Sequence, residues 1–312
     1  MLRTKTDCYP FLKYVGGKRK LANQIINLMP PQFETYYECF LGGGAVFFAQ
    51  RPKKAALSDS NEELINSYLC LRDRESEGQL FCIPQGYNVN LHTKNVTVLI
   101  ELLEEFENDY QKNLKISLLE AENYYYQIRS LDRDSDRYCK LSEVERAARY
   151  IFLNKTGYSG LMRVNSFGQI NTPFGKYLNP RICDRANLIN CSEALQDVEI
   201  SCAVFEPIFS NEVDPGDFVY ADPPYFERSN KTYNQYGRAR FDQEQHQELY
   251  EWLAFVNKYK VNWVLSNSAT DWVRDRYKDF AQHKVYRSGA INSDTNARSP
   301  VQELLICSGG LN

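Results

Sequence analysis

The sequence predicts an α/β protein whose doubly wound parallel sheet is interrupted by a long insertion. Two separated segments carry alternating strand and helix patterns, one before about residue 70 and one after about residue 198. Between them the chain is polar, and residues 152–180 mix Gly, Asn, aromatic and basic side chains with no helical period. We therefore expect one sheet domain formed by residues 1–70 and 188–312, with an inserted domain over residues 71–187.

Composition excludes several protein classes. The 312 residues are 43% hydrophobic and 25% charged, an ordinary globular mixture. No apolar run is long enough to span a membrane, and the N-terminus has no apolar signal region. Nine cysteines without a CxxC pair favour reduced thiols in the cytoplasm, and three widely spaced histidines argue against a metal site.

The charge is segregated along the chain. The formal net charge is −3, which argues mildly against a nucleic-acid partner. However, residues 1–20 and residues 149–190 each carry six Lys or Arg against one Asp, whereas residues 101–122 carry seven acids against two Lys. The two basic segments fit either one surface that faces phosphates or two ordinary solvated faces.

The first α/β segment opens as a doubly wound sheet does. Residues 17–28 have the apolar spacing of a helix, which Pro30 and Pro31 would end. TYYEC at 35–39 is a predicted strand, and the consecutive glycines Gly42–Gly44 predict a turn before a helix that begins at AVFFAQ.

A second strand, KKAALSD at 53–59, ends in Asp59, and Ser60 or Asn61 is suited to cap the next helix. Glycines in a strand-to-helix turn let a ligand approach the backbone, and an acid at the end of the next strand typically binds ribose hydroxyls. The spacing differs from GxGxxG, so a nucleoside cofactor without a pyrophosphate fits better than a dinucleotide. A tight turn in a packed sheet explains this motif alone equally well.

The α/β pattern resumes with VEISCAVF and with GDFVYADPPY. A helix near residues 242–257 and the strand VNWVLSNS at 261–268 follow, and the C-terminal stretch predicts two strands that flank a polar loop. The middle segment has one acidic, helix-like stretch at about 97–109, which we interpret as a solvated helix face.

The stretch FVYADPPYFERSN contains the most informative chemistry. Asp222 ends a predicted buried strand, where open α/β sheets place their ligands. Two prolines then fix the backbone, so the carbonyl of Pro223 and the Asp222 carboxylate form two close acceptors that suit an exocyclic amino group. Tyr225 adds a face on which a planar base can stack. A stiffened turn with a surface acid is the alternative reading of DPPY on its own.

Together, in this order, these motifs resemble those of the Dam/DpnM-type DNA adenine-N6 methyltransferases, the D12 class or α group. The resemblance covers most of the chain, through FLKYVGGKRKL, ECFLGGGAVFF, ALSDSNEELINSY, YYYQIR, FLNKTGYSGLMRVNSFGQINTPFGKYLNP, VYADPPY and VQELL. It implies a Rossmann-like methyltransferase sheet that binds S-adenosylmethionine. It also implies an inserted, mostly helical target-recognition domain that carries a β-hairpin.

The resemblance assigns roles to residues of this chain. Those expected to bind S-adenosylmethionine and its product S-adenosylhomocysteine, without a metal, are Tyr14, Lys18, Phe40, Gly42, Gly44, Asp59, Phe205 and Asp222. Those expected to hold the target adenine are Asp222, Pro223 and Tyr225. The family often has Trp where this chain has Tyr14, a change that keeps an aromatic face.

The residues expected to contact DNA are Lys13, Tyr158, Ser159, Arg163 and Arg298. Tyr158 would enter the base stack, while Arg163 and Lys13 would read the two outer guanines. Ser159 departs from the Asn that GATC-specific members often carry, and Ser reads adenine less well than Asn does. Arg163 fits a phosphate contact as well as base reading. Arg298 lies in a loop, residues 289–299, that would touch the DNA backbone or close over the target base; a disordered surface loop is the alternative interpretation.

We therefore expect a cytoplasmic, nucleoid-associated enzyme that methylates adenine N6 in duplex DNA by base flipping, within GATC, and that acts as a monomer. A cognate restriction endonuclease would share the DNA site without binding the enzyme; an orphan role in repair or regulation stays open. The alternatives are a catalytically idle DNA-binding module and an RNA or cytosine-N4 methyltransferase. The intact Asp222, Tyr225 and glycine turn argue against the first.

Overall fold

The structure is a computed structural model that describes residues 7–72, 95–203, 213–226, 241–287 and 301–309. The chain forms two compact units, each assembled from segments that are distant in sequence. Of the described residues, the first unit, called here the helical unit, contains 7–17, 61–72 and 95–196. The second, the sheet unit, contains 18–60, 197–203, 213–226, 241–287 and 301–309.

Seven strands form one mixed sheet in the order β3-β2-β1-β4-β5-β7-β6. They are β1 (Tyr36–Glu38), β2 (Ala55–Asp59), β3 (Val198–Cys202), β4 (Phe218–Ala221), β5 (Asn262–Ser268), β6 (Ala281–Arg287) and β7 (Val301–Cys307). The first five strands pair in parallel, whereas β7 runs antiparallel to both β5 and β6. The strand order reverses between β1 and β4, and open α/β sheets bind their ligands at such a switch point. The predicted α/β fold is confirmed.

The described part of the sheet unit contains four α-helices: α1 (Ala22–Ile26), α2 (Ala45–Gln50), α9 (Gln243–Lys258) and α10 (Asp271–Arg276). Leu249, Trp252, Leu253 and Val256 lie at the spacing of one helix face on α9, and all are buried in the core cluster of the sheet. Each such side chain contributes about 1.5–3 kcal/mol when fully buried. This face fixes α9 on the strands that carry the candidate site.

The first helix is shorter than predicted. The spacing predicted a helix over residues 17–28, but only Ala22–Ile26 is helical. Gly16 has φ 78°, and the Gly17 N–H donates to the carbonyl of Tyr14 at 3.1 Å. The chain therefore turns at these glycines before it enters the helix, because a left-handed residue interrupts a right-handed helix.

In the residues described for the helical unit there are six α-helices: α3 (Glu62–Leu71), α4 (Asn95–Ile116), α5 (Leu118–Ser130), α6 (Ser135–Tyr138), α7 (Glu143–Thr156) and α8 (Arg185–Ala194). Asn61 caps α3, as predicted, by accepting the Leu64 N–H at 3.1 Å. α4 is longer than the predicted segment 97–109. It buries Leu99 and Tyr110 on one face, while charged side chains on its other faces are exposed to solvent.

After α7 the chain forms an irregular hairpin rather than a regular ladder. Its two arms meet at isolated antiparallel bridges, Gly157 with Phe174 and Val164 with Ile170. The expected hairpin is thus present as two single bridges. Within the described residues no helix has both the length and the apolar character needed to cross a bilayer.

Candidate functional site

The glycine turn follows β1 and lies against the end of β2. Gly42 and Gly44 have φ values of 48° and 64°, a left-handed conformation that glycine adopts at little cost. The Gly42 N–H donates to Asp59 Oδ2 at 2.9 Å. The Phe40 ring meets the edge of Phe241, with ring centroids 5.3 Å apart. The structure therefore brings four sequence-predicted elements together: Phe40, both glycines and Asp59.

The DPPY segment begins where β4 ends, beside β1 in the sheet. Lys18 Nζ donates to Asp222 Oδ2 at 2.8 Å and lies 4.9 Å from the centroid of the Tyr225 ring. The Lys18 side chain is only 3% exposed and that of Asp222 is 19% exposed. The Coulomb attraction in an ion pair shielded from water to this degree is far larger than in a surface pair, and removing one partner would leave an uncompensated buried charge. Lys18, predicted at the cofactor, thus lies against the catalytic candidates Asp222 and Tyr225.

Side chains of β5 and α9 hold the backbone beyond Asp222. The Phe226 N–H donates to Asn267 Oδ1 at 3.3 Å, and Ser268 Oγ donates to the Phe226 carbonyl at 2.7 Å. His246 of α9 is buried, and the carbonyl of Pro224 accepts a hydrogen bond from its imidazole. Pro223 is itself buried. The loop is therefore tied to α9 and β5.

Two buried acids near this loop were missed by sequence reasoning. Glu303 of β7 is fully buried and accepts the Tyr225 hydroxyl at 2.8 Å. Glu38, the last residue of β1, is also buried and accepts the Tyr36 hydroxyl at 2.7 Å. Burial, together with a smaller effect of the negative charge of Asp222, raises the pKa of Glu38 to about 8. An acid inside an apolar run, as in YYECF and VQELLIC, is the sequence signal for both.

In the helical unit, Lys13 packs against the turn that follows α7. Its backbone N–H donates to Asn154 Oδ1 at 2.8 Å, and Asn154 Nδ2 donates back to the Lys13 carbonyl at 2.8 Å. Lys13 Nζ lies 4.2 Å from the Tyr177 ring centroid and donates to the Lys155 carbonyl at 3.0 Å. Any Cβ on Gly160 would lie 2.5 Å from the Lys13 Cβ, so only glycine fits there.

Burial and the nearby charge of Lys13 lower the pKa of Lys155 to about 8. This cluster of basic side chains therefore contains an ammonium that is costly to keep charged in the absence of an anion.

The turn carries Tyr158 and Ser159. Tyr158 is 44% exposed, although it is a large aromatic residue. Ser159 has φ 55°, a conformation that favours Asn or Gly over Ser, and its N–H donates to the Tyr177 hydroxyl at 3.1 Å. Arg163, on the adjoining arm, donates from Nε to Asn171 Oδ1 at 2.8 Å. The predicted DNA-contacting residues Lys13, Tyr158, Ser159 and Arg163 thus belong to one unit.

The remaining candidates are located as follows. Tyr14 belongs to the turn before α1 and is half-buried. Phe205 and Arg298 lie outside the described residues. Among the described residues, no group of three or more His, Cys, Asp or Glu side chains is placed to hold a metal ion.

The sequence is similar to proteins of known activity. A family model described as D12 class N6 adenine-specific DNA methyltransferase matches residues 14–291. The chain is 34% identical over 311 residues to the Type II methyltransferase M1.LlaDCHI of Lactococcus lactis subsp. cremoris, with 99% of this chain and 98% of the relative covered. The chain is 34% identical over 310 residues to the Type II methyltransferase M.MjaIII of Methanocaldococcus jannaschii, with 95% of this chain and 98% of the relative covered. It is 28% identical over 296 residues to the DNA adenine methylase of Escherichia coli strain K12, with 95% of this chain and 93% of the relative covered.

Proposed function

The chain belongs to the D12 class of N6 adenine-specific DNA methyltransferases, and on this basis we propose how it binds its substrates and which residues carry the reaction. It is an adenine-specific DNA methyltransferase, and the family implies chemistry that depends on S-adenosylmethionine. We infer that the target adenine is flipped out of the duplex, because its N6 is paired and stacked in B-form DNA. We infer further that the target lies within GATC.

One observation carries the proposal. Asp222 and Tyr225 follow the end of β4, and the glycine turn follows the end of β1, so both border the switch point of the sheet. A cofactor at one strand end and a base at the next would lie close enough for direct transfer of a methyl group.

The residues at the glycine turn fit a nucleoside cofactor. Gly42 and Gly44 present backbone without a side chain, and the Asp59 carboxylate lies beside them at 2.9 Å from the Gly42 nitrogen. These residues would hold S-adenosylmethionine together with Phe40, Lys18, Asp222, Tyr14 and Phe205. When bound, S-adenosylmethionine supplies an electrophilic methyl group on sulfur and leaves as S-adenosylhomocysteine. The Asp59 carboxylate would accept hydrogen bonds from the ribose hydroxyls.

Asp222, Pro223 and Tyr225 would hold the target base. The two N–H groups of the adenine amine would donate to the Asp222 carboxylate and to the Pro223 carbonyl, which fixes the attacking nitrogen. The negative charge of Asp222 would stabilise the positive charge that develops on N6 during transfer, and the proton that N6 then loses would pass to the Asp222 carboxylate or to solvent. Tyr225 would stack on the ring of the flipped adenine. The buried Lys18 would orient Asp222 through the 2.8 Å ion pair.

The helical unit would read the DNA. Arg163, oriented by Asn171, would donate two hydrogen bonds to a guanine, a contact worth about 1–3 kcal/mol of discrimination. Lys13 would read the other outer guanine, and the exposed Tyr158 would enter the base stack. Ser159, in the left-handed conformation, would contact the inner A·T pair, and Arg298 would contact the DNA backbone.

The biological setting follows from the substrate. We propose a monomer, because the reaction modifies one base at a time, and association with the nucleoid, because duplex DNA is the substrate. Two relatives are named Type II methyltransferases. This supports a restriction-modification role, in which an endonuclease shares the DNA site without binding this enzyme.

The experiment is transfer of labelled methyl groups from S-adenosylmethionine to duplex oligonucleotides with and without GATC. Asp222→Ala should abolish transfer while cofactor binding, measured by calorimetry, largely survives through the other cofactor-binding residues. Asp279→Ala removes an exposed aspartate of the same unit and should retain activity. Activity of Asp222→Ala within a few-fold of wild type would refute the proposed role of Asp222. Equal transfer to both duplexes would refute GATC specificity.

A further inference from the structure

Glu303 is a buried acid for which the proposed chemistry gives no role. It lies at the centre of the VQELL stretch in β7, opposite Ser268 of β5 on one side and Val285 of β6 on the other. Its side chain is fully buried. A carboxylate removed from water costs several kcal/mol unless it is hydrogen-bonded, so its partners reveal why it is tolerated.

One partner is the hydroxyl of Tyr225. The hydroxyl donates to Glu303 Oε2 at 2.8 Å. Burial holds the pKa of the Tyr225 phenol far above its usual range, and the negative charges of Asp222 and Glu303 contribute smaller effects in the same direction. The phenol therefore keeps its proton and remains a donor. A hydrogen bond to a carboxylate is about twice as strong as one between neutral groups.

Other contacts of this loop act on its backbone and on the face of the Tyr225 ring. Asn267 and Ser268 bind the backbone N–H and carbonyl of Phe226. Lys18 Nζ lies over the Tyr225 ring, 4.9 Å from its centroid. An aromatic side chain on a fixed backbone still rotates about two torsions, and a hydrogen bond at the far end of the ring restricts both.

We propose that Glu303 is a positioning residue for methyl transfer, which fixes the ring plane of Tyr225 so that a flipped adenine stacks on it in the orientation for attack. This inference rests on the proposed function, since it assumes that Tyr225 stacks on the target base. Glu303 acts through Tyr225 and does not contact the substrate. A base that stacks on a tilted ring would present its amino group off the line of transfer, which lowers kcat more than it weakens cofactor binding.

The test is a double-mutant cycle on the full-length enzyme, with kcat and the KM for S-adenosylmethionine measured on a GATC duplex. Tyr225→Phe keeps the ring and removes the donor, and Glu303→Ala removes the acceptor. We expect each to lower kcat about tenfold with KM within about twofold, as for loss of one hydrogen bond to a charged group. The double variant should also be about tenfold lower, not a hundredfold, because both changes break one interaction.

Two further variants separate positioning from packing. Glu303→Gln retains an oxygen that can accept the hydrogen bond from the Tyr225 hydroxyl, so kcat of this variant should stay within about threefold of wild type. Tyr277→Phe is the matched control, because Tyr277 is a buried tyrosine of the same unit whose hydroxyl has no hydrogen-bond partner among the described residues. Its kcat should equal that of wild type. If Glu303→Ala does not fold, the cycle is run with Glu303→Leu, which removes the acceptor but fills the buried site, and Tyr225→Phe still determines the effect of losing the donor.

The fluorescence of 2-aminopurine at the target position reports base orientation directly. In the Tyr225→Phe and Glu303→Ala complexes it should differ from wild type in the same way, because the ring is released in both. Multiplicative losses in kcat, or a Tyr225→Phe variant as active as wild type, would overturn the inference while the proposed function stands. A wild-type enzyme that does not methylate adenine would instead overturn the proposed function.

Discussion

The ion pair between Lys18 and Asp222 makes a quantitative prediction about stability. The two side chains are unequally buried: 3% of Lys18 is exposed and 19% of Asp222. Removing one partner of a buried pair leaves the other charge without its counter-ion, at a cost of about 3–5 kcal/mol. The cost should be larger when the more buried charge remains. Asp222→Asn, which leaves the Lys18 ammonium, should therefore destabilise the protein more than Lys18→Met does.

The magnitudes follow from this asymmetry. Lys18→Met keeps the aliphatic stem and leaves a carboxylate that water partly reaches, so we expect a loss near the lower bound, about 3 kcal/mol. It also removes the contact with the Tyr225 ring, worth about 0.5–1 kcal/mol. Asp222→Asn should cost about 4–5 kcal/mol. The double variant should cost less than the sum of the two, with an interaction energy of about 2–3 kcal/mol.

The assay is urea unfolding at pH 7 of the four proteins without ligand, followed by intrinsic fluorescence. Lys258→Met serves as the control, because Lys258 is an exposed lysine of α9 in the same unit. It should change the free energy of unfolding by less than about 0.5 kcal/mol. Losses below 1 kcal/mol for both single variants, or strict additivity in the double variant, would refute the strong buried ion pair.

The remaining two predictions concern Glu38 and Arg163. The folded-state pKa of Glu38, about 8, lies above its ordinary value of 4.5. Its contribution to stability is therefore full below pH 4.5 and is lost as pH rises through 8, by up to about 5 kcal/mol. Glu38→Gln should flatten the pH dependence of the free energy of unfolding between pH 5 and 8; an unchanged slope would contradict the raised pKa. Arg163→Ala should relax specificity at one guanine by about 1–3 kcal/mol in competition assays, whereas a uniform loss on all sequences would reveal a phosphate contact.

The strand ends that carry the candidate site were predictable from sequence. Asp59 and Asp222 each end a short apolar run, and such runs bounded by turn residues are typical of buried parallel strands. The glycine turn was also predictable, because three consecutive glycines strongly disfavour a helix and favour a turn. The helix over residues 17–28 was predicted too long, because periodicity does not reveal that the chain closes i to i+3 turns at both ends, from Lys18 to Leu21 and from Ile25 to Leu28.

Contacts between distant residues were not predictable. Lys18 and Asp222 are separated by 204 positions, and nothing in their spacing indicates an ion pair. Glu38 and Glu303 were missed because the apolar residues around each of them predicted only a buried strand and no role for the acid. An acid surrounded by apolar residues in a strand must find a donor, and here the donors include the hydroxyls of Tyr36 for Glu38 and of Tyr225 for Glu303.

The central claim is adenine-N6 methylation at GATC that depends on Asp222. The most direct measurement is methylation-sensitive sequencing of plasmid DNA from cells that express either the wild-type chain or Asp222→Ala. The account predicts N6-methyladenine confined to GATC with wild type and none with the variant. N6-methyladenine at another motif would contradict the proposed recognition by Arg163, Lys13 and Ser159. Equal methylation by both proteins would contradict the mechanism.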